Sequence, residues 1–112
     1  MSPAEFSKLA LSLPETIEGA HMGHTDFRID GKIFATLGYP DESYGMVAIP
    51  TEDQADFIAR YPLIFSPAKG AWGRRGSTLV RLKEIKVQLL RKAMTAAWQK
   101  RAPKQLQDNF DL

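Results

Sequence analysis

A short stretch of the chain, residues 65–82, carries the side chains best suited to holding an anion. It reads Phe-Ser-Pro-Ala-Lys-Gly-Ala-Trp-Gly-Arg-Arg-Gly-Ser-Thr-Leu-Val-Arg-Leu. Arginine hydrogen-bonds phosphate through two parallel N–H groups, and an exposed tryptophan can stack on a nucleobase. We therefore predict a nucleic-acid-binding site formed by the cationic and aromatic residues of this stretch and the lysine after it: Lys69, Trp72, Arg74, Arg75, Arg81 and Lys83.

Three glycines are interleaved with these residues, at positions 70, 73 and 76. Glycine permits positive φ and close backbone approach, so the stretch can bend around a ligand. A second interpretation stays open, in which Trp72 closes the edge of the core and the arginines pair with acids of residues 1–68. The stretch is not a P-loop, because no Gly-Lys-Ser/Thr follows it and we expect no helix to start there.

Two histidines, His21 and His24, lie near Asp26 and raise the question of a metal site. Side chains three residues apart in an extended chain point to opposite faces, so Gly23 would have to turn them together. The chain has no cysteine, and a closed zinc site would need carboxylate ligands. We expect a polar strand end and no metal.

Serine chemistry is also poorly supported. Ser66 and Ser77 could be combined with the histidines, but neither serine lies in a nucleophile elbow and no ordered triad signature is present. We therefore expect a protein that is not an enzyme and that uses no cofactor.

The charge is divided unevenly along the chain. Residues 1–68 contain four Lys/Arg and ten Asp/Glu, a net charge of −6, whereas residues 69–112 contain eleven and three, a net charge of +8. Such asymmetry indicates an anionic partner for the C-terminal part. Folding can also interleave the two sets of charges so that they neutralise each other, and the sequence leaves both possibilities open.

The bulk composition predicts an ordinary globular protein. The chain has 112 residues, 44% of them hydrophobic and 25% charged, which suits one domain over residues 1–112. No apolar run approaches the roughly 20 residues of a membrane span. The first residues lack the basic start and apolar segment of a signal peptide, and cysteine is absent. We expect a cytoplasmic protein that does not bind membranes.

Helical spacing of apolar residues predicts three helices, with Ser2 and Thr51 as N-caps of the first two. Ala55 is expected on the buried side of the second helix, and Trp98 on the buried side of the third. We place the helices at residues 3–13, 52–61 and 84–101, followed by a loose tail over residues 105–112.

Alternating patterns predict strands over residues 16–23, 24–29, 32–38, 44–49 and 77–82, and a short strand or an extended segment over residues 63–67. Asp30-Gly31 is typical of a two-residue hairpin turn. Because the connections are short, we expect an antiparallel meander, with residues 68–76 as a loop.

Several of these pieces occur together in a known family. They are Leu13-Pro-Glu-Thr, Phe27 through Asp30-Gly-Lys-Ile-Phe-Ala, Phe65-Ser-Pro-Ala, Gly73-Arg-Arg-Gly, Thr78-Leu-Val-Arg-Leu, Leu90, Ala97-Trp and Ala102-Pro-Lys. Over residues 3–105 the chain resembles the MmcQ/YjbR-like family of small bacterial domains. The resemblance implies an α+β fold of order αβββαββα, similar to secretion chaperones, with an antiparallel sheet covered by helices. Such proteins are described as predicted DNA-binding "double wing" domains, and no catalytic residues come with the resemblance.

Two functions therefore follow as expectations. The first is binding of DNA or another polyanion through the basic C-terminal half. The second is a protein–protein adaptor or chaperone-like module that uses a face or edge of the sheet. A small-molecule pocket between sheet and helices is a third possibility without identifiable polar anchors. The sequence does not specify a DNA sequence preference, the identity of a protein partner or the oligomeric state.

Overall fold

The computed structural model describes residues 1–109, which form one six-stranded sheet with five helices. All neighbouring strands are antiparallel, and their order is β1-β2-β3-β4-β6-β5. The α+β fold class is thereby confirmed. The elements are α1 (Pro3–Leu11), β1 (Ile17–His21), β2 (His24–Ile29), β3 (Lys32–Leu37), β4 (Tyr44–Ala48), α2 (Thr51–Arg60), β5 (Phe65–Pro67), α3 (Gly70–Arg74), β6 (Ser77–Arg81), α4 (Val87–Arg101) and α5 (Lys104–Asn109).

The order of elements extends the order that the resemblance implies. Four strands precede α2, as the alternating pattern of residues 16–50 predicts, which is one more than in αβββαββα. The short helices α3 and α5 are further additions.

Two tight turns set the register of the first three strands. Asp30 and Gly31 both have positive φ, 52° and 73°, as a primed hairpin turn requires. This confirms the predicted turn. Met22 and Gly23 repeat the arrangement between β1 and β2, with φ of 51° and 79°. As a result His21 pairs directly with His24 across the first hairpin.

An irregularity in the β2–β3 ladder adds a residue to the core. Phe27 pairs with Ala35 and Arg28 with Ile33, so Phe34 has no partner opposite it. An extra residue of this kind bends the strand and interrupts the alternation of its side chains. Phe34 and Ala35 are consecutive, and both belong to the buried hydrophobic cluster, which strict alternation along the strand would not allow.

The core lies between one face of the sheet and the helices α1 and α4. Phe6 of α1 packs against Phe27 of β2, and α4 packs against β3 and β4. Trp98 of α4 is fully buried, and its indole Nε1 donates to the carbonyl of Pro14 at 3.0 Å. The predicted core position of Trp98 is confirmed.

The helix boundaries differ from the predictions. The Ser2 cap of α1 is confirmed as a capping box with Glu5, but the helix ends at Leu11 and not at Leu13. Thr51 is the first helical residue of α2 and makes no side-chain cap bond. Helix α4 begins at Val87, because residues 82–86 still form the connection from β6.

Three further predictions are corrected. Ala55 is exposed, while Gln54 takes the buried position beside Phe57. Residues 70–74 of the expected loop form α3, and residues 104–109 of the expected loose tail form α5. The remainder of that tail, residues 110–112, lies outside the described part of the chain.

Candidate nucleic-acid interface

Helix α3 is anchored by buried contacts of its backbone. The α-carbon of Gly73 packs against Ala68 so closely that a Cβ there would lie 1.9 Å from the Ala68 carbonyl oxygen. The amide of Gln54 donates to the carbonyls of Gly73 at 2.9 Å and Ser77 at 3.2 Å. A short helix of low intrinsic stability is thus fixed by tertiary contacts.

The end of α3 is fixed by the last helix. Gly76 has a φ of 110° and lies against the carbonyl of Ile49. The ammonium of Lys100 donates to that carbonyl at 3.0 Å and to the carbonyl of Arg75 at 2.6 Å. Burial lowers the pKa of Lys100 from its ordinary value, and the charge of neighbouring Arg101 acts in the same direction.

The side chains around α3 point into solvent. We call Lys69, Trp72, Arg74 and Arg75 the α3 cluster; all four are exposed, and Trp72 retains 69% of its surface. The ion pairs found within residues 1–109 join His21 and Arg28 to Asp26 and Arg60 to Asp56. The interpretation in which Trp72 closes the core and the arginines pair with acids is therefore wrong for the described residues.

The structure divides the six residues predicted from the sequence. Arg81 is at the far end of β6 from α3, four residue steps or about 13 Å along the strand from Ser77. Its guanidinium lies over the ring of Tyr44, 5.4 Å from the ring centroid. Lys83 follows in the turn after β6 and is exposed. These two residues thus lie beyond the opposite end of β6 from the α3 cluster.

The other cations of the basic C-terminal half are dispersed. Arg91 and Lys92 line a groove with Asp53 and Asp56, acids of the N-terminal half. Arg101 donates to the carbonyl of Ile33. The cations within residues 69–109 therefore lie in several places and not all at the α3 cluster.

The second face of the sheet is not covered by α1 or α4, and we call it the open face. Register places four residues opposite one another on it, across β2, β3, β4 and β6: Asp26, Thr36, Met46 and Leu79. Asp26 and Thr36 are nevertheless buried, whereas Met46 and Leu79 are half-buried.

A cavity of about 270 Å³ opens on this face, and we call it the open-face cavity. The first hairpin, the middle of the sheet and the segment entering α3 all contribute to its walls. Its lining residues are His21, Met22, His24, Thr36, Tyr39, Met46, Ala68, Lys69 and Trp72. Lys69 and Trp72 thus belong both to the α3 cluster and to the cavity.

A buried carboxylate organises the polar side of the cavity. Arg28 donates to Asp26 through Nε at 2.8 Å and through Nη2 at 2.9 Å, and His21 Nδ1 donates at 2.7 Å. The hydrogen bond from Arg28, with a smaller contribution from His21, lowers the pKa of Asp26 from its ordinary value. Gly19 leaves room for this pair, since a Cβ there would lie 2.9 Å from Asp26 Oδ1.

The two histidines lie close together across the first hairpin. The turn at Met22-Gly23 brings His21 and His24 opposite each other, as the sequence argument required for a metal. Across the described residues 1–109, no group of three or more His, Asp or Glu side chains is arranged to hold a metal ion. His21 is engaged by Asp26 instead.

Sequence reasoning missed the residues that form the cavity floor and the anchor of α3. Thr36, Met46 and Tyr39 belong to strand and loop patterns that carry no chemical signature. Gln54 gave a weak signal, because it is a polar residue on the side of α2 that carries Phe57. Lys100 gave none, since a lysine near the end of a helix usually lies in solvent.

The model of the YjbR family matches residues 11–100 of the chain. No match was found among curated proteins or among solved structures. Within the described residues, none of the helices has the length and apolar character needed to cross a bilayer.

Proposed function

The chain belongs to the YjbR family, and from that premise we propose that it is a non-enzymatic binding domain for DNA. The α3 cluster is the proposed contact surface. Lys69, Arg74 and Arg75 would bind backbone phosphates, and Trp72 would stack on a base at their side.

The observation that supports this function is the exposure of four such side chains on one anchored turn of helix. Three cations and a tryptophan within seven residues are all in solvent, and none is engaged by an acid of residues 1–109. Such cations can pair with phosphate without first breaking an ion pair inside the protein.

The experiment is a DNA titration at several salt concentrations with wild type and the double variant Arg74→Ala/Arg75→Ala. Each lost phosphate contact lowers the slope of log affinity against log salt by about 0.9 on duplex DNA. We expect the double variant to flatten the slope by up to about two units, equally for unrelated DNA sequences.

The matched control is Arg91→Ala/Lys92→Ala, which removes the same charge from the groove that contains Asp53 and Asp56. We expect the control to change the slope by less than half as much. No binding of wild-type protein at low salt, or equal slopes for both double variants, would contradict the proposal.

A second function is favoured by the free edge of the sheet. Strand β1 is an edge strand whose outer backbone groups have no partner strand among the described residues, and Ile17 on it is 61% exposed. Strand β5 at the other edge has only three residues and includes Pro67, which protects it from pairing. An extended peptide from a partner protein could add to β1 by backbone hydrogen bonds. Partner binding that is unaffected by salt, and abolished by Glu18→Pro, which removes an outward N–H of β1, would support this adaptor function.

A further inference from the structure

We propose that the open-face cavity binds a single unstacked nucleobase, so that the domain holds single-stranded DNA with one base in the cavity. This inference rests on the proposed function, because the flanking phosphates would lie on the α3 cluster. It names a class of ligand, nucleobases, for the open-face cavity, which the sequence patterns do not indicate.

The size and walls of the cavity fit one flat ring system. Its volume of about 270 Å³ lies just below the range of about 300–1,000 Å³ for sites that enclose drug-sized ligands. Trp72 and Tyr39 supply aromatic surface, and Met46 supplies a soft apolar floor. Stacking on such side chains tolerates every base, because every base has a π-face.

The floor also carries a polar atom without a partner. The hydroxyl of Thr36 is buried, with 3% of the residue exposed, and makes no hydrogen bond within residues 1–109. Buried hydroxyls are nearly always hydrogen-bonded in native proteins. A hydroxyl can both donate and accept, so it can pair with the edge of any base that enters the cavity.

His21 supplies a second polar group whose orientation is fixed. An ionised carboxylate only accepts, so the short contact with Asp26 places the proton of His21 on Nδ1. The other ring nitrogen, Nε2, is then left to bond a ligand. Arg28 is held by Asp26 through two hydrogen bonds and supports His21 rather than contacting phosphate.

The open-face cavity is continuous with the α3 cluster. Lys69 and Trp72 line it, and the next residues along the chain are Gly73 and the arginines of the α3 cluster. A strand whose base occupies the cavity would therefore pass its phosphates directly onto these cations. A duplex could use the cations but could not place a base in the cavity without unpairing it.

The test compares three probes with the full chain at one salt concentration: a single-stranded oligonucleotide, the same oligonucleotide with abasic sites at its central positions, and the duplex. The abasic probe keeps the phosphate charge and removes the bases. We expect about tenfold weaker binding of both the abasic probe and the duplex than of the intact single strand.

Two variants test whether the base-dependent part of the binding affinity comes from the cavity. Thr36→Val is nearly isosteric. It should lower the ratio of the affinities for intact and abasic DNA several-fold, and it should leave the affinity for the abasic probe unchanged. Thr25→Val, the same change on β2 outside the cavity lining, is the control. Tyr39→Ala, at an exposed position of the cavity lining outside the α3 cluster, gives a second route should Thr36→Val fail to fold.

The outcomes separate this inference from the proposed function. Equal binding of intact and abasic strands would overturn the cavity assignment and leave DNA binding in place. A base preference that neither Thr36→Val nor Tyr39→Ala reduces would also overturn it. Absence of binding to all three probes would overturn the proposed function together with this inference.

Discussion

Trp72 and Trp98 are the same residue type in opposite environments, and the difference comes from what each element packs against. Trp98 lies on the face of α4 that covers the sheet and is fully buried, whereas Trp72 lies on a short helix outside the core and is 69% exposed. The first side chain serves stability. The second leaves a large aromatic surface available to a ligand.

The first prediction concerns this pair. Trp98→Ala removes a fully buried ring and its hydrogen bond to Pro14, and should lower the free energy of unfolding by about 3–5 kcal/mol. Trp72→Ala is the matched control and should change it by no more than about 0.5 kcal/mol. Urea unfolding followed by circular dichroism measures both. Similar losses for the two variants would show that the burial of Trp98 is misassigned.

The second prediction concerns Asp26, whose pKa is lowered in the folded protein by Arg28 and then by His21. A depressed folded-state pKa contributes stability above the unfolded-state pKa, and this contribution is lost as pH falls through the folded-state pKa. Asp26→Asn should therefore cost about 1–3 kcal/mol at neutral pH, and less as the solution is acidified.

The control for Asp26 is Asp56→Asn, which removes the exposed pair with Arg60 and should cost less than about 1 kcal/mol. Unfolding free energies measured over the acid range give the comparison. A constant difference between wild type and Asp26→Asn at every pH would contradict the assigned role of the carboxylate.

At the scale of elements, α3 is a helix that its own sequence would not maintain. It has five residues, two of them glycine, and no side-chain cap. Its conformation is fixed from outside, by Gln54 of α2, by Lys100 of α4 and by close packing on Ala68. The proposed contact surface is therefore positioned by three separate parts of the chain.

The third prediction tests this anchoring. Gly73→Ala places a Cβ against the backbone of Ala68, where it cannot fit, so α3 must shift. We expect a loss of about 1–3 kcal/mol in unfolding free energy and weaker DNA binding. Ala71→Ser, at an exposed position of the same helix, should change stability by less than about 0.5 kcal/mol. If Gly73→Ala had the same unfolding free energy and the same DNA affinity as wild type, the proposed anchoring of α3 would be wrong.

At the scale of the whole molecule, the described residues share one sheet and one hydrophobic cluster. The same cluster contains Phe6 near the start of the chain and Trp98 near its end. Opening any large part would therefore expose core surface contributed by distant segments. We expect the chain to behave as a single cooperative unit.

The fourth prediction follows from this shared core. Trp98 fluorescence, measured in Trp72→Phe so that one tryptophan remains, and far-ultraviolet circular dichroism should give the same urea midpoint. The transition should have a slope of about 1–3 kcal/mol per molar urea. Separate midpoints for the two signals would mean that the helical layer and the sheet unfold independently, which the prediction of one domain does not allow.

Much of the fold could be predicted because its signals are local. The apolar stripe that contains Trp98, the alternation of residues 24–29 and the Asp30-Gly31 turn each depend on neighbouring residues in the chain. The family resemblance follows from the same local pieces, in order. The charge and aromatic character of the α3 cluster are also visible in the sequence, so its residues could be selected as candidates before their placement was known.

The tertiary structure alone decided which of these residues act together. Arg81 is close to Arg75 in sequence, but the extended β6 carries it to the opposite end of the strand. Thr36, Tyr39 and Met46 carry no chemical signature, and the pairing of β3 with β4 and the connection after β3 place them around one cavity with Trp72. Charge and periodicity are properties of sequence neighbours, whereas a cavity is formed by residues whose separation in the chain is bridged by the sheet.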